Sequence, residues 1–542
     1  MKRLLSAILI LVLLMGGCKN IRAGQDQREL PPPDSMKGVE FKNHLNISVA
    51  FWDIQDMAAS KKEDALLNYI EQAFNVTFEP VSVSWADYKE KYQIMSVTGS
   101  LPDMFANLTI SSADNNYSSS LNNLILSNSI RSLPEDLSNY PNIKDVIDKC
   151  GNIQSSGRNY VIPRISFQDK MLGSSDAAML VRKDWMKKLG LSQPESLEEF
   201  IDLVCAFANE DPDGNGVKDT IGYNVNNRVA LGKWVILGIA PECNVYNWIQ
   251  RDQGYIPSFI TDDFKKVVKA YRTLYERGGL DPDFYTKKSS DAVHDFASGK
   301  LGALEYKSSP SSVMELKSLW EMYQDTPFED SVDVLHIFPA DDGKYYSNSS
   351  RIFWSETLFS SGVDDEKMER LLYIYDYLLS PQGLELVKFG MEGVDYEKKN
   401  GEYHCLIETD NQSLITVLMK KYPSLALFAN LAAWGGTWDD FEDNELNNLR
   451  YGEYAMELAR KDILWNQKNS IQVDRPYDFL LMPKETTDYF NTQTVIDDFT
   501  RVIIGKEDPV SMWEDIVEGY YANGLKDYID RQNEKFKDFS GK

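Results

Sequence analysis

An alternation of strand and helix patterns early in the chain constrains the fold more than any other feature. Apolar residues alternate with small or polar ones over 45–51, and they recur every four residues over 66–74. The same alternation predicts a strand at 76–84, a helix at 88–97 and a strand at 101–106. This order predicts a parallel sheet covered by helices, in which ligands bind beyond the carboxyl ends of the strands.

Amphipathic patterns further along predict helices in the rest of the chain. Residues 197–209 and 368–379 carry apolar side chains at helical spacing, and Ser380-Pro381-Gln382-Gly383 terminates the second helix. The stretch 497–539 is mostly helical in pattern. The sequence therefore predicts an α/β protein.

Length and charge exclude several classes of function. The 542 residues are enough for two or three domains. The formal net charge of −26 repels phosphate backbones, so we expect no nucleic-acid partner and no electrostatic docking onto anionic lipid. With 4 His and 5 Cys, a multi-histidine zinc enzyme would be poorly supplied with ligands.

The first eighteen residues predict export. Lys2 and Arg3 precede an apolar run that is too short to span a bilayer. Gly16 and Gly17 then precede Cys18, which resembles a bacterial lipobox, although Met15 stands where Leu is commoner. This resemblance implies a signal peptide at 1–17, a lipid (palmitate) on Cys18 and attachment to the membrane through that lipid only. The polar segment 18–44, with three prolines, is predicted to be a flexible tether.

The other four cysteines leave their pairing open. The spacing of Cys150, Cys205, Cys243 and Cys405 matches no metal pattern. Four cysteines allow three disulfide pairings, and free buried thiols are as compatible with a large domain as disulfides are.

The loop that follows the predicted helix 197–209 has the spacing of an EF-hand-type calcium loop. Oxygen-bearing side chains stand at positions 1, 3, 5 and 9, and Gly216 at position 6 permits the sharp turn. Position 12 is Gly222, where an EF-hand has a bidentate Glu, so a plain Asp/Asn/Gly turn is the alternative. We expect a structural calcium ion without a catalytic role. Its predicted ligands are Asp211, Asp213, Asn215, Val217 (through its backbone carbonyl) and Asp219.

Several motifs in a shared order resemble those of extracellular solute-binding proteins of ABC transporters. The resemblance is to the large lipoprotein group that includes alginate- and oligosaccharide-binding proteins. It covers about residues 45 to 540. Its motifs are RKDWM at 182–186 with LGL at 189–191, PESLEEF at 194–200, ASGKLGA at 297–303, YDYL at 375–378, GMEGVDY at 390–396 and IIGK at 503–506.

The resemblance implies a two-lobed, type II periplasmic-binding-protein-like fold with hinge-connected lobes and a ligand cleft between them. It implies lobe 1 at 45–175 with a return segment at about 350–395, and lobe 2 at 176–345 with C-terminal helices at about 396–542. It also implies a monomer that captures an oligosaccharide at the extracellular face, delivers it to ABC permease subunits and catalyses nothing. In such proteins the calcium loop lies in the second lobe, away from the sugar.

Aromatic and polar residues near predicted strand ends and glycine-rich loops are the candidates for contacting a sugar. Aromatic residues make up 12% of the chain, and flat sugar faces stack on aromatic rings. No Arg or Lys cluster stands out among the candidates, which argues against a polyuronate ligand. The candidates are Trp52, Asp53, Trp85, Asn107, Trp234, Trp248, Glu305, Trp354, Glu356, Trp434 and Trp438.

Two other functions remain open at this stage. A secreted glycosidase or lyase needs two carboxylates about 5 to 10 Å apart across the sugar, and 83 acidic residues offer many pairs. However, no eightfold repeat of strand and helix is present. A binding protein for a peptide or an organic acid would have the same fold and a different cleft. An organic-acid binder should place Arg or Lys at strand ends.

Overall fold

The computed structural model describes residues 39–52, 54, 57, 64–109, 117–151, 157–226, 232–288, 290–432, 437–476, 479–480, 482, 484–485, 487 and 489–540. The predicted signal peptide, Cys18 and most of the predicted tether lie outside the described residues.

The described residues form alternating strands and helices over most of their length. The strands are β1 (Leu45–Ala50), β2 (Val76–Pro80), β3 (Met104–Asn107), β4 (Val161–Ile165), β5 (Ala178–Arg182), β6 (Ile221–Val225), β7 (Trp248–Arg251), β8 (Gly254–Pro257), β9 (Leu301–Tyr306), β10 (Val332–Leu335), β11 (Tyr345–Ser347), β12 (Phe353–Phe359), β13 (Tyr396–Lys399), β14 (Glu402–Cys405) and β15 (Ser470–Gln472).

The helices begin and end as follows: α1 (Ala65–Phe74), α2 (Tyr88–Thr98), α3 (Tyr117–Leu126), α4 (Pro141–Cys150), α5 (Lys183–Leu189), α6 (Leu197–Asn209), α7 (Trp234–Leu237), α8 (Asp262–Glu276), α9 (Asp291–Ala297), α10 (Pro310–Trp320), α11 (Phe328–Ser331), α12 (Asp365–Leu379), α13 (Pro381–Phe389), α14 (Leu414–Lys421), α15 (Leu425–Ala432), α16 (Glu445–Tyr451), α17 (Glu453–Asn469), α18 (Thr492–Ile504), α19 (Pro509–Ala522) and α20 (Leu525–Ser540).

Local sequence signals account for many of these boundaries. Asp64, Ser196 and Asp364 stand just before α1, α6 and α12, and each side chain accepts a hydrogen bond from a backbone N–H three residues on. The helix predicted at 197–209 is confirmed by α6, and the alternating elements predicted between 45 and 106 are confirmed by β1 through β3.

The first lobe is built on a five-stranded sheet in the order β2-β1-β3-β12-β4. β1 pairs in parallel with β2 and β3, whereas β12 is antiparallel to both β3 and β4. The carboxyl ends of β1, β2, β3 and β4 therefore meet at the edge where β12 begins.

The second lobe is built on a four-stranded sheet in the order β10-β5-β9-β6. β6 and β9 are parallel, and β5 is antiparallel to β9 and to β10. β6 and β9 therefore end at the edge where β5 begins. These two sheets confirm the predicted two-lobed α/β fold.

The core of the first lobe extends further along the chain than the sequence implied. The return segment was expected to end near 395, with 396–542 in the second lobe. In the structure, Tyr396, Leu414, Phe428 and Leu446 are buried in the first-lobe core. The C-terminal helices α18 and α19 do pack in the second lobe, through side chains such as Phe499 and Trp513. The boundary moves because α15 packs on the first sheet, with Phe428 against Phe78 of β2, and α14 and α16 pack beside it.

Three segments connect the lobes within the described residues. The chain crosses from β4 to β5, returns between β10 and β12, and crosses again between α16 and α17, whose Ala455 and Leu458 pack against the second sheet. The first crossing contains a short 3-10 helix, Met171–Asp176.

The four described cysteines are free thiols. Cys150, Cys205 and Cys243 are buried, and Cys405 is half-buried. Burial raises the pKa of each thiol, to about 11 in Cys243, which keeps these side chains protonated and unreactive at neutral pH. Within the part of the chain that the structure describes, no helix is both long enough and apolar enough to cross a membrane.

Candidate ligand-binding cleft

A cavity of about 690 Å³ lies between the two lobes and is lined by residues from both. Trp52 follows β1, Ser166 follows β4 and Trp354 is the second residue of β12, so the first lobe faces the cavity with one edge of its sheet. Asp176 precedes β5 and Lys307 follows β9, so the second lobe faces it with the corresponding edge. This is where parallel sheets bind ligands.

Three tryptophans of the first lobe form one aromatic surface in the cavity, which we call the tryptophan triad: Trp52, Trp85 and Trp354. The ring centroid of Trp85 lies 5.2 Å from that of Trp52 and 5.5 Å from that of Trp354, and the centroids of Trp52 and Trp354 are 5.8 Å apart. Trp52 is only 2% exposed and supports the surface from below, whereas Trp85 is 53% exposed and offers its ring to a ligand.

The facing wall is also partly aromatic. Trp248 on β7 lines the cavity and packs on Phe479 and Tyr528, with ring centroids 4.9 and 6.1 Å away. Hydroxyl and amide groups complete the lining and can hydrogen-bond a polar ligand. They come from Ser166, Asn247, Ser309, Ser311, Ser312, Asn348 and Thr492.

A bulge in β12 separates two predicted site residues. Residues two apart in a regular strand share a face, but the register shifts between Phe353 and Glu356, and Ser355 has a φ of 67°. Trp354 thus lines the cavity, while Glu356 is fully buried and accepts hydrogen bonds from the N–H (2.7 Å) and hydroxyl (2.9 Å) of Thr109. The Glu356 carboxylate fixes the loop after β3.

Asn107, Trp234 and Glu305 lie outside the cavity lining. Asn107 ends β3 and accepts a hydrogen bond from the N–H of Leu108. Trp234 is buried in the second-lobe core. Glu305 is buried and accepts hydrogen bonds from the backbone N–H of Lys233 and the hydroxyl of Tyr223. Burial raises the pKa of this carboxyl.

Of the two tryptophans predicted in the glycine-rich loop, Trp434 and Trp438, the structure describes only Trp438. Trp438 begins a short 3-10 helix, donates its indole N–H to Asp169 and packs on Phe441, 6.4 Å away. It does not line the cavity. Trp434, like Asp53 after β1, lies outside the described residues.

Sequence reasoning missed the charge of the cavity. Among the described lining residues, Asp176 is the one carboxylate, and it lies 3.7 Å from the ammonium group of Lys307. The sequence showed no basic cluster among the candidate residues; the basic residues of the cavity lie outside that set, on segments spread over 233–484. We call them the basic wall: Lys233, Lys307, Arg351, Arg475 and Lys484.

Two members of the basic wall, Arg475 and Lys484, form no ion pair with a carboxylate of the described residues. The ammonium group of Lys484 donates to the backbone carbonyls of Phe479 (2.8 Å) and Met482 (3.4 Å). Burial, together with the charges of Arg351 and Lys535, lowers the pKa of Lys484 to about 7. Within the described residues, Nη1 of Arg475 is buried and has no hydrogen-bond partner.

The predicted calcium loop brings its acidic side chains together. The amide of Asn215 donates to Asp213 (2.8 Å) and to Asp219 (3.1 Å), so a polar donor lies among the carboxylates where a cation would sit. Asp211 accepts from the N–H groups of Gly214 and Gly216. Burial, the hydrogen bond to Asp211 and the neighbouring carboxylates raise the pKa of Asp213. These oxygen donors suit a hard cation. No group of three His, Cys, Asp or Glu side chains with metal-binding geometry is found among the described residues.

Packing explains why position 12 of this loop is a glycine. A Cβ on Gly222 would lie 2.1 Å from the carbonyl oxygen of Val204 and 2.4 Å from that of Gly279. Both are backbone atoms, so no longer side chain fits there. The loop must complete any coordination without the bidentate Glu of an EF-hand.

Two α/β lobes joined by three crossings, with a cavity between the ends of their strands, define the fold of the extracellular solute-binding proteins of ABC transporters. The predicted resemblance to these proteins is confirmed in fold and in sequence relatives. Comparison with protein-family models finds no match for this chain.

The chain is 26% identical over 467 residues to "Lipoprotein LipO" of Bacillus subtilis, covering 83% of this chain and 85% of the relative. It is 23% identical over 535 residues to the "Polygalacturonan/rhamnogalacturonan-binding protein YtcQ" of Bacillus subtilis, covering 98% of each. A solved structure of the Streptococcus pneumoniae ABC-transporter substrate-binding protein FusA, an EF-hand mutant in complex with fructo-nystose, matches with a TM-score of 0.64 and 17% identity, covering 92% of this chain and all of that one.

Proposed function

We propose that this protein is a lipid-anchored oligosaccharide-binding protein that delivers its ligand to an ABC importer. The observation that carries the proposal is the tryptophan triad, which exposes an aromatic surface inside a cavity between two hinged lobes. Aromatic rings stack on the C–H faces of sugars, and the hydroxyl and amide groups nearby suit sugar hydroxyls. The cavity volume lies within the range of about 300–1,000 Å³ that small-ligand sites occupy.

The relatives support binding rather than turnover. YtcQ and FusA are both named as binding proteins, and FusA was solved with a bound oligosaccharide. We therefore propose that closure of the two lobes on the ligand, without chemistry, is the functional event. The same proposal includes delivery of the ligand to ABC permease subunits and a monomeric state of the protein.

Replacing Trp85 with alanine should weaken oligosaccharide binding at least tenfold, because the exposed ring of the triad is lost. Isothermal titration calorimetry against neutral oligosaccharides, acidic oligosaccharides and peptides measures the affinity, and chemical assay of the sugar afterwards detects any cleavage. Tyr323→Ala is the matched control, since Tyr323 is similarly exposed (51%) and lies outside the cavity lining. New reducing ends would show an enzyme, and binding of a peptide alone would exclude a sugar ligand.

We propose a structural calcium ion in the loop of Asp211, Asp213, Asn215, Val217 and Asp219. The proximity of the Asp213, Asn215 and Asp219 side chains supports it, and so does the EF-hand of FusA, the site altered in the solved mutant. The ion would hold the loop between α6 and β6, in the second lobe. It would take no part in ligand binding.

Calcium should raise the thermal midpoint of the wild-type protein, and chelator should reverse the rise. A ligand at a hundred times its dissociation constant stabilises by about 2.7 kcal/mol. Asp219→Ala should abolish this increment, because one carboxylate of the loop is removed. Lys218→Ala, in the same loop with its side chain exposed, should keep it. Equal midpoints with calcium and with chelator in the wild type would show that the loop is only a turn.

We propose that Cys18 carries the lipid. The support is the lipobox-like sequence before it and the relative LipO, which is named a lipoprotein. Cys18→Ser should move the protein from the membrane to the soluble fraction of bacterial cells, as judged by immunoblotting of fractions. Retention of the variant in membranes would contradict a lipid on this residue.

A further inference from the structure

The charge of the cleft contrasts with the charge of the whole chain. The chain has a formal net charge of −26, yet its cavity is lined by the basic wall. Of these residues, Lys307 lies near Asp176, and the backbone of Lys233 contacts the buried Glu305. Arg475 and Lys484 form no ion pair with a described carboxylate. A positive cavity in an acidic protein concentrates anions over neutral ligands.

The arrangement of these side chains suits a carboxylate on a sugar. Arg475 presents a buried guanidinium nitrogen that has no hydrogen-bond partner among the described residues. Arg351 and Lys484 both line the cavity, and their positive charges repel each other. A bound anion would reduce this repulsion. These groups belong to the second lobe and the crossing segments, whereas the tryptophan triad belongs to the first lobe. A ligand with a flat ring on one side and a carboxylate on the other would bridge both walls.

We infer that the cleft selects acidic oligosaccharides of the uronic-acid class, with sugar rings on the tryptophan triad and carboxylates on Arg475, Lys484 and Arg351. This inference rests on the proposed function and specifies its substrate class. A small organic acid would use the basic residues alone and would leave the triad without a partner. A neutral sugar would offer no anion to the Arg475 Nη1, which is buried without a hydrogen-bond partner among the described residues, and this is unfavourable.

The central comparison in the test is between each uronate and its methyl ester, in which the carboxylate charge is removed. Trisaccharides of α-1,4-galacturonate and β-1,4-mannuronate are titrated calorimetrically beside their methyl esters, neutral fructo- and gluco-oligosaccharides, and citrate. We expect at least one uronate to bind at least tenfold more tightly than its ester. Raising the salt from about 0.05 to 0.5 M should weaken the acid more than the ester, because screening acts on charge.

Two variants test whether the ligand's carboxylates contact Arg475 and Lys484. Arg475→Gln and Lys484→Gln should each reduce the preference for the acid over the ester at least fivefold. Lys144→Gln is the control, because Lys144 is an exposed cation on α4 outside the lining. Circular dichroism and the thermal midpoint confirm that each variant is folded.

The outcomes separate the inference from the proposed function. Preference for neutral oligosaccharides or esters, or an unchanged acid preference in both variants, would overturn the inference and leave an oligosaccharide-binding protein. Binding of citrate with no oligosaccharide would overturn both. If no carbohydrate in the panel binds, the inference and the proposed function are both rejected.

Discussion

Replacing Arg164 with methionine is expected to destabilise the first lobe by about 3–5 kcal/mol, the usual cost of breaking a buried charge pair. Arg164 lies on β4 and is completely buried. Its Nε donates to the carbonyl of Asn430 (2.8 Å) and its Nη1 to the hydroxyl of Ser355 (2.9 Å). Burial lowers its pKa to about 10, so the side chain remains charged at neutral pH.

The effect is large because Arg164 offsets another buried charge. The carboxylate of Glu356 is fully buried, and its charge acts on Arg164. Methionine fills similar volume without a charge, so Glu356 would lose this compensation. Arg164 also lies over the ring of Trp52, with its Cζ 5.4 Å from the centroid, and thus supports the tryptophan triad.

Urea denaturation followed by tryptophan fluorescence measures this change. A double-mutant cycle with Glu356→Gln is the control, since removing both charges should cost less than the sum of the single changes. If Arg164→Met lowers the free energy of unfolding by less than about 1 kcal/mol, or if the two changes are additive, the charges are not coupled.

The sequence predicted the elements whose signals are local. Apolar spacing located α6 at its observed bounds, and alternation located β1, β2 and β3 within a few residues. The position of the cleft followed from one rule about parallel sheets, and Trp52, Trp85 and Trp354 do lie together at that edge. Whether they contact the ligand remains a prediction.

Features that depend on tertiary structure could not be predicted in this way. The bulge at Ser355 gives Trp354 and Glu356 different surroundings, although regular alternation would put them on one face. The basic wall draws on residues as far apart in sequence as Lys233 and Lys484, so no local pattern marks it. Helices α14 to α16 join the first-lobe core although α18 and α19 join the second, and spacing alone does not specify which lobe a helix packs in.

Gly222→Ala should destabilise the second lobe by about 3 kcal/mol or more, near the upper end of the cost of overpacking. The added Cβ would lie 2.1 and 2.4 Å from two carbonyl oxygens, those of Val204 on α6 and Gly279 after α8. The carbonyl of Gly279 also accepts a hydrogen bond from the N–H of Tyr223 in β6. Neither oxygen can move without shifting a helix or breaking this strand contact.

Gly216→Ala is the matched control, because it makes the same chemical change in the same loop. Gly216 has a φ of 78° and no atom within 4 Å of an added Cβ, so it should cost only the backbone strain, about 1–2 kcal/mol. Denaturation with and without calcium compares the two variants. Equal losses in the free energy of unfolding would show that contact with Val204 and Gly279 is not the reason for a glycine at position 12. A larger loss for Gly222→Ala would mean that close packing of β6 against α6 excludes a Glu ligand, so this loop cannot become an EF-hand of the usual kind without rebuilding the lobe.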